Sequence, residues 1–126
     1  MYEKDAASQA LGITIEIPEV GQAIATMLIR DDMVNGFDVC HGGLIFTLAD
    51  TAFAFACYAF DQLSYGAAAV IVFLRPAKRG VALEACAKYD YRGNKTGLYS
   101  IVFRNQRDEV VAMFRGRSAT VQETVL

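Results

Sequence analysis

The sequence has few of the residues that form disulfide frameworks or metal sites. His41 is its only histidine, and its three cysteines, Cys40, Cys57 and Cys86, are widely spaced without a CxxC pair. This pattern predicts neither a disulfide framework nor a structural zinc site. We therefore interpret the cysteines as reduced, small apolar side chains, and we expect no bound metal, no cofactor and a cytoplasmic location.

A surplus of positive charge and a targeting segment are also missing. The net charge is −2 at pH 7 and the pI is about 5.3, so no basic field attracts the phosphates of a nucleic acid. The N-terminus lacks the charged-then-apolar order of a signal peptide. Residues 44–60 carry one charge, Asp50, and are rich in alanine. They predict a buried core helix and not a membrane span, so we expect neither nucleic acid nor membrane as a partner.

The residues that are present predict a single domain over residues 1–126. A chain of this length is one domain by size, and it contains no linker, repeat or low-complexity segment. Hydrophobic residues make up 54% of the chain, which is above the globular average. This excess indicates that part of the surface is buried between subunits.

The order of helix and strand patterns predicts an α+β fold. Runs of strands with short turns favour an antiparallel sheet, which here curves around the long helix. Because a helix that is apolar on all sides must be enclosed, we expect another subunit to cover its remaining face. The predicted elements are a helix at residues 1–11, strands at 13–17 and 21–29, the long helix at 44–60, and strands at 67–74, 81–91, 97–103 and 110–121. Alternation in the strand at 81–91 places Val81, Leu83, Ala85, Ala87 and Tyr89 on one face.

Asp50 is the most informative residue of the long helix. Between Gly43 and Phe60 it is the only ionisable side chain apart from Cys57 and Tyr58. Burial of an unpaired carboxylate is costly, so such a residue is normally hydrogen-bonded, protonated or functional. The residue type alone leaves two interpretations open, a local cap at the edge of the helix and a catalytic acid.

The segment before this helix has the features of an oxyanion site. Asn35, His41, Gly42 and Gly43 occupy the loop and the start of the helix, where backbone N–H groups are free and the helix dipole is positive. Glycines let a ligand oxygen approach the backbone closely, and a carbonyl bound there is polarised. The alternative is an ordinary tight turn, with His41 as a partly exposed turn residue.

These segments resemble the PaaI-type hotdog thioesterases of phenylacetate degradation. The resemblance rests on Asn35-Gly36 and on the block from Cys40 to Ala54, which reads Cys-His-Gly-Gly-Leu-Ile-Phe-Thr-Leu-Ala-Asp-Thr-Ala-Phe-Ala. It continues in Phe73-Leu74-Arg75-Pro76, in the turn from Arg92 to Gly97 and in the segment from Val111 to Ser118, so it covers about residues 12–119.

The resemblance implies a hotdog fold, in which five or six antiparallel strands surround the central helix, and a homotetramer built as a dimer of dimers. It implies hydrolysis of aryl-acetyl-CoA thioesters, with ring-hydroxylated phenylacetyl-CoA as the leading substrate. The acid that matches Asp50 is the base or nucleophile, and Gly42 supplies the backbone donor. Asn35 and His41 help to hold substrate or water. Tyr58 departs from the small polar residue common in such relatives, which affects the expected acyl size or ring substitution.

Further residues near these motifs are substrate-binding candidates. The basic residues at strand ends are candidates for the phosphates of CoA, although each can equally be a solvated charge. The candidates are Gly43, Thr51, Arg79, Arg92, Lys95 and Thr96.

Other functions on the same fold remain as alternatives. Hotdog dehydratases typically pair a histidine with an acid, and the chain has no second histidine beside His41. A non-catalytic acyl-CoA sensor gains nothing from a buried charge at Asp50. A thioesterase for other medium-chain or aromatic acyl-CoA esters is the remaining alternative.

Helix geometry predicts that each active site is shared between subunits. Asp50 follows Gly42 by eight residues, which is about 12 Å along a helix axis. A carboxylate reaches only a few ångströms from its backbone, so Asp50 is too far from a carbonyl held at the start of its own helix. We therefore expect Gly42 and Asn35 from one chain to work with Asp50 from the neighbouring chain.

Overall fold

The computed structural model describes residues 1–60 and 64–121. Within them, six strands form one antiparallel sheet in the order β1-β2-β4-β5-β6-β3. The elements are α1 (Ala6–Ala10), β1 (Thr14–Glu16), β2 (Gln22–Leu28), α2 (Gly42–Tyr58), β3 (Ser64–Phe73), β4 (Ala82–Arg92), β5 (Thr96–Arg104) and β6 (Val110–Thr120), with 3₁₀ turns at Tyr2–Lys4 and Asp31–Met33. The predicted α+β architecture, with a sheet around one long helix, is confirmed.

Two predicted boundaries were wrong. The helix expected over residues 1–11 is divided at Asp5, which ends the 3₁₀ turn and whose side chain accepts a hydrogen bond from the Ser8 N–H as the N-cap of α1. The strand expected from Ala67 already begins at Ser64, and its register with β6 shifts between Gly66 and Ala68. Both features depend on local hydrogen bonds that the hydrophobic pattern does not report.

The core lies between α2 and the concave face of the sheet. On β4 the alternation Leu83, Ala85 and Ala87 is buried as predicted. Tyr89, expected on the same face, is instead largely exposed, because it lies at the rim where its ring packs edge-on against Phe60 beyond the end of α2. The pairing of β4 with β5 also shifts directly after Tyr89.

The helix α2 is a core helix but it is not enclosed on all sides. Most of its side chains are buried, yet Phe46, Asp50 and Tyr58 are exposed along one stripe. One chain therefore leaves this stripe uncovered, and the expectation that another subunit covers the remaining face of the helix stays a prediction. No helix in the described part of the chain is long and apolar enough to span a membrane.

The strand β3 lies at one edge of the sheet and is both apolar and exposed. Val70 has 65% of its surface exposed, and Val72 and Phe73 about half. An exposed apolar edge strand offers unpaired backbone groups to another chain. Its location next to the exposed stripe of α2 indicates the face at which we expect a second subunit.

Candidate functional site

The first turn of α2 leaves one backbone donor free. His41 is the N-cap, and its Nδ1 accepts a hydrogen bond from the Gly43 N–H at 3.0 Å. The N–H groups of Leu44 and Ile45 donate to the His41 carbonyl at 2.9 and 3.3 Å. Among the described residues the Gly42 N–H has no acceptor. A single unpaired donor therefore remains at the positive end of the helix dipole.

The same hydrogen bonds define what the neighbouring candidates can do. The Gly43 N–H is already used by His41, so Gly43 offers no free backbone donor. Because Nδ1 of His41 accepts this bond, the neutral ring carries its proton on Nε2, which can donate to a ligand. A Cβ on Gly42 would lie 3.2 Å from the ring of Phe73, so the space beside this residue is narrow. Because glycine has no side chain, a ligand can still reach its N–H.

Asn35 uses its side-chain oxygen to hold the loop that leads to α2. This oxygen accepts hydrogen bonds from the N–H groups of Phe37 at 2.9 Å and Val39 at 3.4 Å. The carbonyl of Val39 in turn accepts the Asn35 N–H. Only the side-chain NH₂ group of Asn35 is left as a donor for a ligand.

Asp50 is an exposed carboxylate with an apolar surrounding. In the described part of the chain its side chain has no hydrogen-bond partner, so the interpretation as a local helix cap is wrong. The ideal Cβ position of Gly66 on β3 lies 3.9 Å from its Oδ1, and the ring of Phe53 packs against the same glycine. Desolvation by this packing, and then the negative charge of Asp5, raise the pKa of Asp50 above the usual range of an aspartate. A carboxylate of this kind is a stronger base.

One chain does not bring Gly42 and Asp50 together. They lie on the same helix eight residues apart, about 12 Å along its axis. A cleft of about 330 Å³ beside Gly42 is lined by apolar residues that include Ile45, Phe73 and Leu74, and Asp50 is not among its walls.

Thr51, a predicted substrate-binding residue, faces inward. Only 7% of its surface is exposed, and its hydroxyl lies 3.1 Å from the Ser8 hydroxyl of α1. The structure therefore places Thr51 in the contact between the two helices and not in a ligand cleft.

The predicted phosphate contacts are dispersed. Arg79 forms ion pairs with Asp38 and Asp31. These carboxylates offset its positive charge and raise the pKa of its guanidinium. Arg92 lies over the ring of Phe60, 4.1 Å from its centroid. Lys95 has an exposed side chain at the turn before β5.

Arg92 belongs to the end of the fold opposite Gly42. It lines a small cavity with Cys57, at the C-terminal end of α2, and with Thr96. The length of α2 corresponds to about 24 Å. Within one chain, neither Arg92 nor Thr96 lies at the cleft beside Gly42.

Basic residues that the sequence interpretation missed line a second cleft near Gly42. It has a volume of about 500 Å³ and includes Arg75, Lys78 and Arg107. It shares the wall from Arg75 to Ala77 with the cleft at Gly42. The available signal was the motif Arg75-Pro76 directly after an apolar strand, since residues at the end of β3 lie next to the start of α2.

Potential metal ligands are scattered over the fold. No cluster of three or more of them occurs within residues 1–60 and 64–121. The expectation of no bound metal stays a prediction.

Comparison with known proteins places these features in a family. The family model of the thioesterase superfamily matches residues 37–112. This range includes all of α2, most of the sheet and the part of the preceding loop that follows Asn35. Acyl-coenzyme A thioesterase PaaI of Escherichia coli (strain K12) is 44% identical over 99% of this chain and 89% of its own length.

Solved structures agree with this match. The structure of the E. coli PaaI protein from the phenylacetic acid degradation operon superposes with a TM-score of 0.95, at 44% identity, over 98% of this chain and 90% of that chain. A variant of phenylacetic acid degradation protein PaaI from Thermus thermophilus gives a TM-score of 0.86 at 25% identity, over 90% of this chain and 97% of that chain.

Proposed function

Because this chain belongs to the thioesterase superfamily and has the predicted hotdog fold, we propose that it hydrolyses acyl-CoA thioesters, with aryl-acetyl-CoA esters as preferred substrates. The observation that carries the proposal is the unpaired N–H of Gly42 at the start of α2. A thioester carbonyl needs such a donor for its developing oxyanion. Ring-hydroxylated phenylacetyl-CoA is the leading candidate, by analogy with the phenylacetic acid relatives.

The proposed reaction uses few groups. The thioester oxygen accepts the Gly42 N–H, and the His41 Nε2–H and the Asn35 NH₂ orient substrate or water. Asp50 removes a proton from water, the resulting oxygen attacks the carbonyl carbon, and the tetrahedral intermediate expels CoA as its thiolate. In the alternative route Asp50 attacks the carbonyl carbon itself, the C–S bond breaks with loss of CoA as its thiolate, and water then hydrolyses the resulting mixed anhydride to the free acid and the Asp50 carboxylate. Both routes require the ionised carboxylate.

We further propose that Asp50 and Gly42 meet across a two-fold axis at β3. Asp50 lies beside Gly66, near one end of β3, and Gly42 lies against Phe73, at its other end. The two halves of the site therefore contact opposite ends of the same strand. Antiparallel pairing of β3 with its copy, with the axis between Ala69 and Val70, sets Gly66 opposite Phe73 of the second copy. Each Asp50 then faces the Gly42 of the other chain, and the dimer has two equivalent sites.

Mixed subunits test this arrangement. We expect Asp50→Asn chains and Gly42→Pro chains, each weakly active alone, to regain roughly a quarter of wild-type activity after they are unfolded together and refolded. Random mixing makes about half of the dimers mixed, and each mixed dimer has one intact site and one site with neither group. The measurement is thiol release at equal total protein.

The control for this test is the same two proteins mixed after separate refolding, without exchange of chains. If co-refolded protein shows only the average of the two parents while mass spectrometry finds mixed dimers, the shared site is wrong.

The cleft of Arg75, Lys78 and Arg107 is our proposed site for the phosphates of CoA, in place of the dispersed residues considered from the sequence. We expect Lys78→Gln to raise KM for acyl-CoA by up to about fivefold with little change in kcat, the size of one exposed ion pair. The matched control is Lys88→Gln on the outer face of β4, where no effect is expected. An acyl-N-acetylcysteamine thioester lacks phosphates, so its KM should not respond to Lys78→Gln. A response of KM to Lys95→Gln alone would instead favour the opposite end of the fold.

The direct test of the proposed function is thiol release from a series of CoA esters. Aryl-acetyl-CoA esters should give the highest kcat/KM, above benzoyl and straight-chain esters. Tight binding of all esters without thiol release would contradict the proposal and favour a sensor, and loss of water from a hydroxyacyl ester without thiol release would favour a dehydratase.

A further inference from the structure

Two buried hydroxyl groups connect α1 to α2 next to Asp50. Ser8 has 1% of its surface exposed, and it is one of the few polar residues buried in the described core. Its Oγ lies 3.1 Å from Thr51 Oγ1 on α2 and 2.7 Å from Asp5 Oδ2. A buried hydroxyl without a partner costs about 1–3 kcal/mol, so this three-residue chain of hydrogen bonds fixes the position of α1.

The chemistry of the three groups determines the direction of the hydrogen bonds. A carboxylate can only accept hydrogen bonds, so the Ser8 hydroxyl donates its hydrogen bond to Asp5. The Ser8 oxygen must then accept from the Thr51 hydroxyl. Asp5 also accepts the Ser8 N–H at 3.0 Å. With five residues, α1 is too short to be stable by itself. It is therefore held by these hydrogen bonds, and by its C-cap Leu11, which packs against the core.

The consequence is a second carboxylate, that of Asp5, two hydrogen bonds away from Thr51, the residue that follows the proposed catalytic acid. Thr51 follows Asp50 directly in the sequence. The series of hydrogen bonds that starts at Asp5 therefore ends at the residue next to the proposed catalytic acid. After desolvation, Asp5 is the charged group of the described residues that raises the pKa of Asp50. On β3, which packs against the other side of Asp50, Tyr65 is the only titratable side chain. On α2 itself the titratable side chains are Tyr58 and Cys57. Burial raises the pKa of the Cys57 thiol and keeps it neutral.

We propose that Asp5 is a positioning residue for the proposed hydrolysis: through Ser8 it holds a negative charge two hydrogen bonds from Thr51, next to the helical turn that carries Asp50, and this charge makes Asp50 a stronger base. The inference rests on the proposed role of Asp50. In this role Asp5 acts only through its field at Asp50.

The pH dependence of kcat/KM tests this role, because its acidic limb reports the free enzyme's essential base. Asp50 must be ionised to act, and a neighbouring negative charge opposes ionisation. In Asp5→Asn the acidic limb should therefore move to lower pH, and kcat on the plateau should fall by less than about tenfold because the base is weaker. Asparagine is as good an N-cap as aspartate, so the melting temperature should change little. Asp5→Ser is a second variant that keeps a cap without the charge.

Two controls separate the charge from the structure. Glu3→Gln removes an exposed acid of the same segment that lies outside the chain of hydrogen bonds, and the limb should stay in place. Ser8→Ala keeps the charge but breaks the chain, so it should lower the melting temperature and move the limb in the direction of Asp5→Asn.

An unmoved limb in both Asp5→Asn and Asp5→Ser overturns the inference. If Asp50→Asn abolishes turnover in that case, the proposed function still stands. Full activity of Asp50→Asn would instead remove the proposed role of Asp50, on which this inference rests, while the absence of thiol release from the wild type would contradict the proposed function.

Discussion

Asp50→Asn is expected to lower kcat for acyl-CoA hydrolysis by at least about 10²-fold, the contribution of a general base, with KM nearly unchanged. Asparagine keeps the size and shape of the side chain, but it cannot accept the proton of water at neutral pH or form the anhydride. Because Asp50 is exposed in the single chain and hydrogen-bonded to no other described residue, the replacement should cost little stability. Thiol release under saturating substrate, with a melting curve of the same sample, measures both quantities.

The wild-type pH profile gives a second reading of the same residue. The pKa of Asp50 is raised first by desolvation and then by Asp5, so the acidic limb of kcat/KM should lie above the range of an ordinary aspartate. In Asp50→Asn the residual rate should lose this limb. Near-normal turnover in the variant, or residual activity with the wild-type limb intact, would remove Asp50 from the mechanism.

The sequence predicted the parts of the fold that local patterns determine. The long helix was expected at 44–60 and lies at Gly42–Tyr58, and the turn expected at Asn35-Gly36 is present in the loop before it. Both follow from composition over a short window, since an apolar run with one acid and a Gly-Gly start are visible without tertiary information. The segment at β3 was recognised as apolar, but its location at the sheet edge depends on strand order.

Contacts between distant segments were not predictable in this way. Ser8 meets Thr51 across 43 residues of sequence, and nothing in either neighbourhood identifies the other. Arg79 was chosen as a phosphate ligand because it is basic and follows a strand, yet it is paired with Asp31 and Asp38. Lys78, its neighbour in sequence, lines the cleft instead. Which of two adjacent basic residues is free is decided by packing, not by residue type.

The second large effect on kcat is expected at Gly42. Two substitutions there distinguish the loss of its backbone N–H from the loss of the space around it. Gly42 is the first residue of α2, a position at which proline is favoured because its N–H has no intrahelical acceptor. The preceding His41 has φ −61° and ψ 131°, a conformation that a following proline accepts. Gly42→Pro therefore deletes the unpaired N–H without breaking the helix. Gly42→Ala keeps the N–H and adds a Cβ at the same place, 3.2 Å from the exposed ring of Phe73.

We expect Gly42→Pro to lower kcat by about 10²–10³-fold, the cost of one oxyanion donor, and Gly42→Ala to lower it much less. About half of Phe73 is exposed in the single chain, so we expect its ring to shift and admit a methyl group, whereas nothing replaces a missing donor at the start of the helix. The two variants should melt at similar temperatures, so the ratio of their kcat values isolates the hydrogen bond from the packing. Equal losses in both variants would mean that Gly42 serves only to leave space, and a change in KM alone would mean that its N–H binds substrate and transition state equally.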